Sequence, residues 1–231
     1  MGDKTRQGCY GLAILAMLCG ACASWAQEEG ALNQQFVVAV YDDAGVAPDV
    51  VLRAEVAADR VFRGAGIHVQ WTNPLWEERA AVVPVAEQET RGRLMVRIVP
   101  HSRSLKGEIF GLAFLDEDGR GRQADIFYNG IVRLSASGSH DSAVLLGSVM
   151  VHELGHLLLG SHSHSSSGIM RGRWDESVLQ LAAAGLEGFS AEQAARMQGR
   201  IASFVETHAT VVSARAQERE RVEESWIASV R

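Results

Sequence analysis

The segment over residues 142–159 constrains the fold of this chain more than any other part of the sequence. Almost all of its residues are apolar, and they lie on every side of a predicted helix rather than along one stripe. A helix of this kind is buried. Asp141 or Ser142 is a suitable N-cap, and Gly160 is a suitable terminator. We therefore predict a buried helix over 142–159, against which the other elements pack.

Three ionisable residues interrupt this helix, in the run His152-Glu153-Leu-Gly-His156. Residues four apart share a helix face, so the two imidazoles converge, and a neutral imidazole binds Zn²⁺ at about 2.0–2.1 Å. Glu153 lies about 100° further round the helix, where it can reach a metal-bound water without binding the metal. Burying these groups without a partner would be unfavourable by several kcal/mol. The pattern therefore predicts a zinc site with Glu153 as the general base.

Two histidines and a water leave such a site short of one protein ligand. Two further histidines, His162 and His164, follow the predicted helix end at Gly160, and Met170 follows them. Both histidines are candidates for the third ligand. A loop imidazole that binds no metal is the ordinary alternative for either one alone.

The sequence of this region resembles the metzincin clan of zinc metallopeptidases. It reads His-Glu-Leu-Gly-His-Leu-Leu-Leu-Gly-Ser-His over residues 152–162, and Gly-Ile-Met over residues 168–170. The clan pattern is HExxHxxGxxH followed by a methionine turn. The resemblance covers roughly residues 111–175. It implies a metzincin-like zincin fold of the α+β class, with an active-site helix followed by a Met-turn.

The resemblance and the glycine position point to different third ligands. An ungapped match places His162 at the third-ligand position and Met170 at the turn methionine, where it packs beneath the metal rather than binding it. The clan glycine would fall at Leu159, but this chain has it one residue later, at Gly160. A later turn needs more chain to return to the metal, which slightly favours His164 over His162.

The resemblance also implies an antiparallel edge strand that lines the cleft and pairs with the substrate backbone. The runs 111–115 and 124–128 match the strands that precede the active-site helix in such enzymes. Asp125 and Asn129 are candidates for residues that shape the rim of the cleft. The preferred interpretation is that both are ordinary surface residues of the hairpin. Trp174 stands where some relatives carry a functional Tyr, so we expect no Tyr-assisted mechanism.

The remaining sequence predicts a mixed sheet with helices packed on it, in the α+β or α/β class. The predicted strands are 36–41, 67–71, 94–99 and the hairpin 111–128. Pro48 begins a helical pattern that Gly64 and Gly66 end. Residues 73–92 are assigned to a loop. Ser190-Ala-Glu-Gln is a capping box that begins a helix running to about residue 207.

Residues 1–26 have the features of a secretory signal peptide: a basic start, an apolar stretch over 9–23 and small residues before position 27. The alternative is an uncleaved N-terminal anchor. We expect an exported protein, secreted or periplasmic, with a single metallopeptidase domain over 27–212 and a charged tail over 213–231. The chain has three cysteines, all within the predicted signal, so the mature protein has no thiol chemistry: Cys9, Cys19 and Cys22.

These features predict a zinc-dependent metalloendopeptidase that acts on protein or peptide substrates, with no membrane contact after signal removal. The formal net charge of −6 argues against a nucleic-acid partner. One alternative is a gluzincin-type zinc peptidase, in which Glu187 or Glu192 is the third ligand. Another is a non-catalytic zinc-binding secreted protein, against which Glu153 argues. The other histidines are assigned to structural or surface positions: His68, His101, His140 and His208.

Overall fold

The structure, a computed structural model, describes residues 35–74, 93–102, 109–138 and 140–204, together with positions 217 and 221. The predicted signal peptide over 1–26 and almost all of the predicted tail over 213–231 lie outside the described residues. Those two assignments, and the domain boundaries that depend on them, remain predictions. All the described residues belong to one compact unit.

The described elements form a mixed sheet with helices packed on it. In chain order they are β1 (Gln35–Asp42), α1 (Pro48–Gly64), β2 (His68–Thr72), β3 (Arg93–Val99), β4 (Gly111–Phe114), β5 (Gln123–Phe127), α2 (Tyr128–Gly138), α3 (Ser142–Leu159), α4 (Glu176–Ala183) and α5 (191–204).

The strand order in the sheet is β2-β1-β3-β5-β4. The first four of these strands are mutually parallel, and β4 pairs with β5 in the antiparallel direction. This architecture confirms the predicted α+β class.

Most predicted elements match the observed ones to within a residue or two. The capping box at the start of α5 is formed: the Ser190 hydroxyl accepts from the Gln193 backbone N–H at 3.1 Å, and the Gln193 side chain accepts from the Ser190 N–H at 2.9 Å. Two helices, α2 and α4, were not predicted. Tyr128, expected to end a strand, instead begins α2 directly after β5. No turn residue separates the two elements, so the sequence offered no boundary signal there.

Helix α3 occupies the centre of the core. The Asp141 side chain caps it by accepting from the Ala143 N–H at 2.8 Å, and the helix ends at Gly160. It packs against α1 and lies over β3, β5 and β4. By length and composition α3 could cross a membrane, and it is the one such helix in the part of the chain that the structure describes. Its side chains are instead mostly buried inside the protein.

Helices α1 and α3 cross at very short range. A Cβ atom added to Gly147 of α3 would lie 2.4 Å from the carbonyl oxygen of Ala54 and 3.0 Å from the Cβ of Ala57, both in α1. The backbone oxygen cannot move aside without shifting the helix. Glycine at position 147 therefore sets the spacing of the two helices.

We predict that Gly147→Ala lowers the free energy of unfolding by about 1–3 kcal/mol, because the added methyl overpacks the crossing. Gly199→Ala is the matched control, since Gly199 is also in a helix but has open space around its Cβ position. That change should be neutral or raise stability by up to about 1 kcal/mol. Urea unfolding of both variants measures the difference. Equal effects would show that the crossing tolerates a larger separation.

Candidate metal centre

Three imidazoles come together beside the C-terminal half of α3. His152 and His156 extend from one face of α3, and His164 comes from the loop that follows the helix. The Nε2 atom of His156 lies 3.1 Å from the Nε2 atoms of both other histidines. In the described residues this is the one group of three or more His, Cys, Asp or Glu side chains whose ligand atoms lie within 4.8 Å of one another.

Hydrogen bonds on the far side of two rings orient them. The Nδ1–H of His152 donates to the carbonyl oxygen of Ile169 at 2.8 Å. A carbonyl only accepts, so Nδ1 carries the proton and the neutral ring presents its Nε2 lone pair to the cluster. The Nδ1 atom of His156 lies 2.7 Å from the hydroxyl oxygen of buried Ser163. These contacts hold both Nε2 atoms toward the same point.

The histidines of the helix are held in their neutral form. Burial lowers the pKa of His152, and burial together with the neighbouring His152 and His164 lowers the pKa of His156 to about 4. An imidazole binds a metal only when it is neutral. The desolvation of α3 therefore prepares these two side chains as ligands at neutral pH.

The path of the chain after α3 separates His164 from His162. Gly160 leaves the helix with φ 84°, and His162 adopts φ 57° in an exposed turn. The chain then turns inward at Ser163, and the next residue, His164, joins the cluster. His162 is not part of it. The late glycine and the turn after it lengthen the return path, which is the physical reason that the later histidine reaches the site.

Glycines and Met170 shape the floor of the cluster. Met170 is fully buried, and its Sδ would lie 2.4 Å from a Cβ added to Gly155, so its side chain lies directly against α3. A Cβ on Gly172 would lie 2.9 Å from the Nδ1 atom of His164. A side chain at Gly155 would displace Met170, and a side chain at Gly172 would displace the His164 ring. Met170 accordingly has the position of a packing residue.

The fit of the cluster to a tetrahedral metal follows from its distances and its chemistry. Two nitrogens bound to one zinc ion at about 2.0–2.1 Å lie about 3.3 Å apart. The observed separations of 3.1 Å are close to that value. Three imidazole nitrogens form a ligand set that suits zinc. Without a cation, the lone pair of His152 would face another ring nitrogen across a largely buried space.

Glu153 lies beside the cluster and not within it. Its side chain is buried, and a Cβ on Gly111 of β4 would lie only 2.6 Å from its Cγ. Burial raises the pKa of its carboxyl to about 8, and a backbone hydrogen bond with Ala113 opposes that shift. The group is thus a buried carboxyl beside three imidazoles, and its burial favours the protonated form.

The three histidines and Glu153 open into one cleft of about 540 Å³. Strand β4, the last strand in the sheet order, forms one wall. The loop over 171–174 forms the other, and its Trp174 meets His152 edge to face at 5.8 Å between ring centroids. The wall of the cleft next to Glu153 is therefore a strand at the edge of the described sheet.

Several candidate residues lie away from this cleft. Glu187 and Glu192 are not part of the ligand cluster. Asp125 lies on another cavity, 3.7 Å from the guanidinium of Arg97, and Asn129 is exposed. Three other histidines also lie outside the cluster: His68, His101 and His140. His208 lies outside the described residues.

The sequence did not point to Ser163 or to the loop arginines Arg171 and Arg173. A serine hydrogen-bonded to a histidine ring has no sequence pattern of its own, and arginines in a polar loop look like solvated surface. Only the contacts of Ser163 and the position of the two arginines at the cleft indicate a role for them.

We predict that His164→Ala weakens zinc binding by more than about 100-fold, because a site with two protein ligands remains. His162→Ala is the matched control and should leave affinity unchanged, since this side chain is exposed and outside the cluster. Competition with a chelator of known affinity measures both. The reverse order of effects would make His162 the ligand and contradict the observed loop path.

We predict that Ser163→Ala weakens zinc binding by about 10- to 100-fold, because it removes the group that orients His156. Ser166→Ala, in the exposed part of the same loop, should have no effect on affinity. The same competition assay applies. An unchanged affinity in the Ser163 variant would mean that packing alone orients the ring.

Comparison with known proteins adds little to this geometry. No protein-family model matches the chain. No curated protein matches it either. Among solved structures, the chain is similar to archaemetzincin from Methanopyrus kandleri, at 14% sequence identity and a TM-score of 0.45. The similarity covers 73% of this chain and 96% of that one. At such values the chemistry of this chain has to be argued from its own residues.

Proposed function

We propose that this chain is a zinc-dependent metalloendopeptidase. His152, His156 and His164 hold the metal, and Glu153 is the general base. The observation that supports this proposal most directly is the convergence of three imidazole nitrogens beside a buried carboxyl in one open cleft. A structural role for the histidines would not require their Nε2 atoms to face one another.

The proposed chemistry divides between the metal and Glu153. Bound zinc supplies a Lewis acid that lowers the pKa of water toward about 7 and polarises a carbonyl group. Glu153 takes the proton from the attacking water and delivers it to the amine nitrogen that leaves. Burial raises the pKa of this carboxyl and so favours the protonated form that delivers the proton. A nearby cation favours the ionised form that takes the proton from water. Gly111 leaves the space in which the Glu153 side chain lies.

Peptides are the proposed substrates because of the shape of the cleft. Among the described residues, strand β4 pairs with β5 on one side and ends the strand order of the sheet, so we propose that its other side pairs with an extended backbone. Such a peptide would run past Glu153 and the histidines. From the predicted signal peptide over 1–26 we further propose that the enzyme acts after export, in a secreted or periplasmic form.

We predict that Glu153→Gln abolishes peptide cleavage by the zinc-loaded protein and leaves zinc content at about one ion per chain, since the residue binds no metal. Glu187→Gln is the matched control. It should retain both zinc and activity, because Glu187 lies outside the cluster. Mass-spectrometric analysis of cleavage in a peptide library, with metal analysis of the same samples, gives both readouts.

Two outcomes would contradict the proposal in different ways. Zinc binding without cleavage above the Glu153→Gln control would identify a non-catalytic zinc protein. Loss of zinc in Glu187→Gln or Glu192→Gln would instead support the gluzincin-type ligand set.

A further inference from the structure

The two walls of the cleft differ in chemistry. Apart from the three histidines and Glu153, the charged residues that line it, within the described part of the chain, are Arg171 and Arg173. Both come from the loop that follows Met170. The opposite wall, over residues 109–115, consists of apolar side chains and a glycine. A peptide in the cleft therefore lies between an apolar surface and a cationic one.

The loop that carries the arginines is tied down by its own hydrogen bonds. The backbone N–H of Arg171 donates to Gly168 at 3.1 Å, and its Nε donates to the carbonyl of Ser166 at 3.0 Å. The indole N–H of Trp174 donates to the Arg171 carbonyl at 3.1 Å. The backbone at 171 is thus fixed on both sides, and the two terminal nitrogens of the Arg171 guanidinium make no hydrogen bond with the residues that the structure describes.

No acidic side chain among the described residues forms an ion pair with either arginine. Asp175 follows two residues after Arg173 and interacts electrostatically with Arg171, but its exposed carboxylate accepts from the Ser177 hydroxyl at 2.6 Å and from the Val178 N–H at 3.1 Å, as the N-cap of α4. Arg173 makes no hydrogen bond with the residues that the structure describes. The chain as a whole is acidic, at −6, so two arginines at the cleft do not reflect a basic composition.

We infer that the cleft selects peptides that carry a carboxylate near the bond to be cleaved, and that Arg171 and Arg173 are the residues that bind it. The inference rests on the proposed peptidase function and narrows its substrate class. A guanidinium offers two parallel N–H donors that match the geometry of a carboxylate. That carboxylate is either an acidic side chain or a free C-terminus, and apolar neighbours of it pack on the 109–115 wall.

Binding to the inactive protein tests this inference independently of catalysis. The probes are fluorescein-labelled, Ala/Leu-rich heptapeptides with one central Glu or Gln, each with a free or an amidated C-terminus. Fluorescence anisotropy gives their dissociation constants for zinc-loaded Glu153→Gln protein. We expect one of two differences of at least roughly tenfold in the dissociation constant. Either the Glu peptide binds more tightly than the Gln peptide, or the free-acid peptide binds more tightly than the amidated one. A charge-assisted hydrogen bond contributes a free energy of that size. A difference between the Glu and Gln peptides identifies an acidic side chain as the recognised carboxylate, and a difference between the free acid and the amide identifies the C-terminus.

Variants of the loop identify the residues responsible. Arg173→Gln and Arg171→Gln, in the Glu153→Gln background, should reduce or abolish the preference, whereas Arg173→Lys should keep part of it. Arg133→Gln is the matched control, an exposed arginine on α2 outside the cleft, and should retain the full preference. Circular dichroism and zinc content verify that each variant is folded.

Each outcome has a distinct meaning. Equal binding of the charged and neutral peptides overturns the inference, and so does a preference that persists in both arginine variants. A preference that the arginine variants lose supports it, even if the wild-type protein cleaves no peptide. In that case the proposed peptidase function fails while carboxylate recognition stands.

Discussion

The burial of α3 is the constraint on which the rest of the structure depends. Its apolar surface must be covered on all sides, and the sheet and α1 cover it. The close crossing at Gly147 sets how near α1 can come. Because His152, Glu153 and His156 belong to this helix, their positions are set by core packing and not by a loop. A site built on a rigid element is held more accurately than one carried by a flexible segment.

The second half of the site depends on how the chain leaves that helix. The guanidinium of Arg196 donates to the Leu159 carbonyl at 2.9 Å, which satisfies one acceptor at the end of α3. The loop that follows provides His164 and the Ser163 hydroxyl, and its later part provides the Ile169 carbonyl. The contacts that tether this loop to α3 are therefore the same ones that orient the two helix imidazoles.

Desolvation links this architecture to the proposed chemistry. The burial that makes α3 a core helix lowers the pKa of His152 and His156 and raises that of Glu153. The same cause acts in opposite directions because each group is driven toward its neutral form. Neutral imidazoles are ready to bind a cation, and a carboxyl with a raised pKa is suited to proton transfer. The cationic loop with Arg171 and Arg173 adds recognition on the open side of the cleft.

The sequence by itself determined the parts of this protein that depend on local spacing. The four-residue interval of His152 and His156 fixes their common helix face. The apolar residues around them fix the burial of α3, and Asp141 and Gly160 mark its limits. The alternation of the strands and the capping box at Ser190 likewise act over a few residues. Each of these signals was sufficient, and the structure contains each corresponding element.

Tertiary structure decided what depends on the path of the chain through space. The sequence left His162 and His164 as alternatives, because the choice depends on the backbone angles of Gly160 and of the turn after it. Helix α2 follows β5 without a boundary residue, so packing and not a capping signal ends the strand at Phe127. The partners of Ser163 and of the loop arginines are equally invisible in sequence. These contacts depend on how the loop after α3 folds back on itself and on the helix, which no spacing of residues in the sequence encodes.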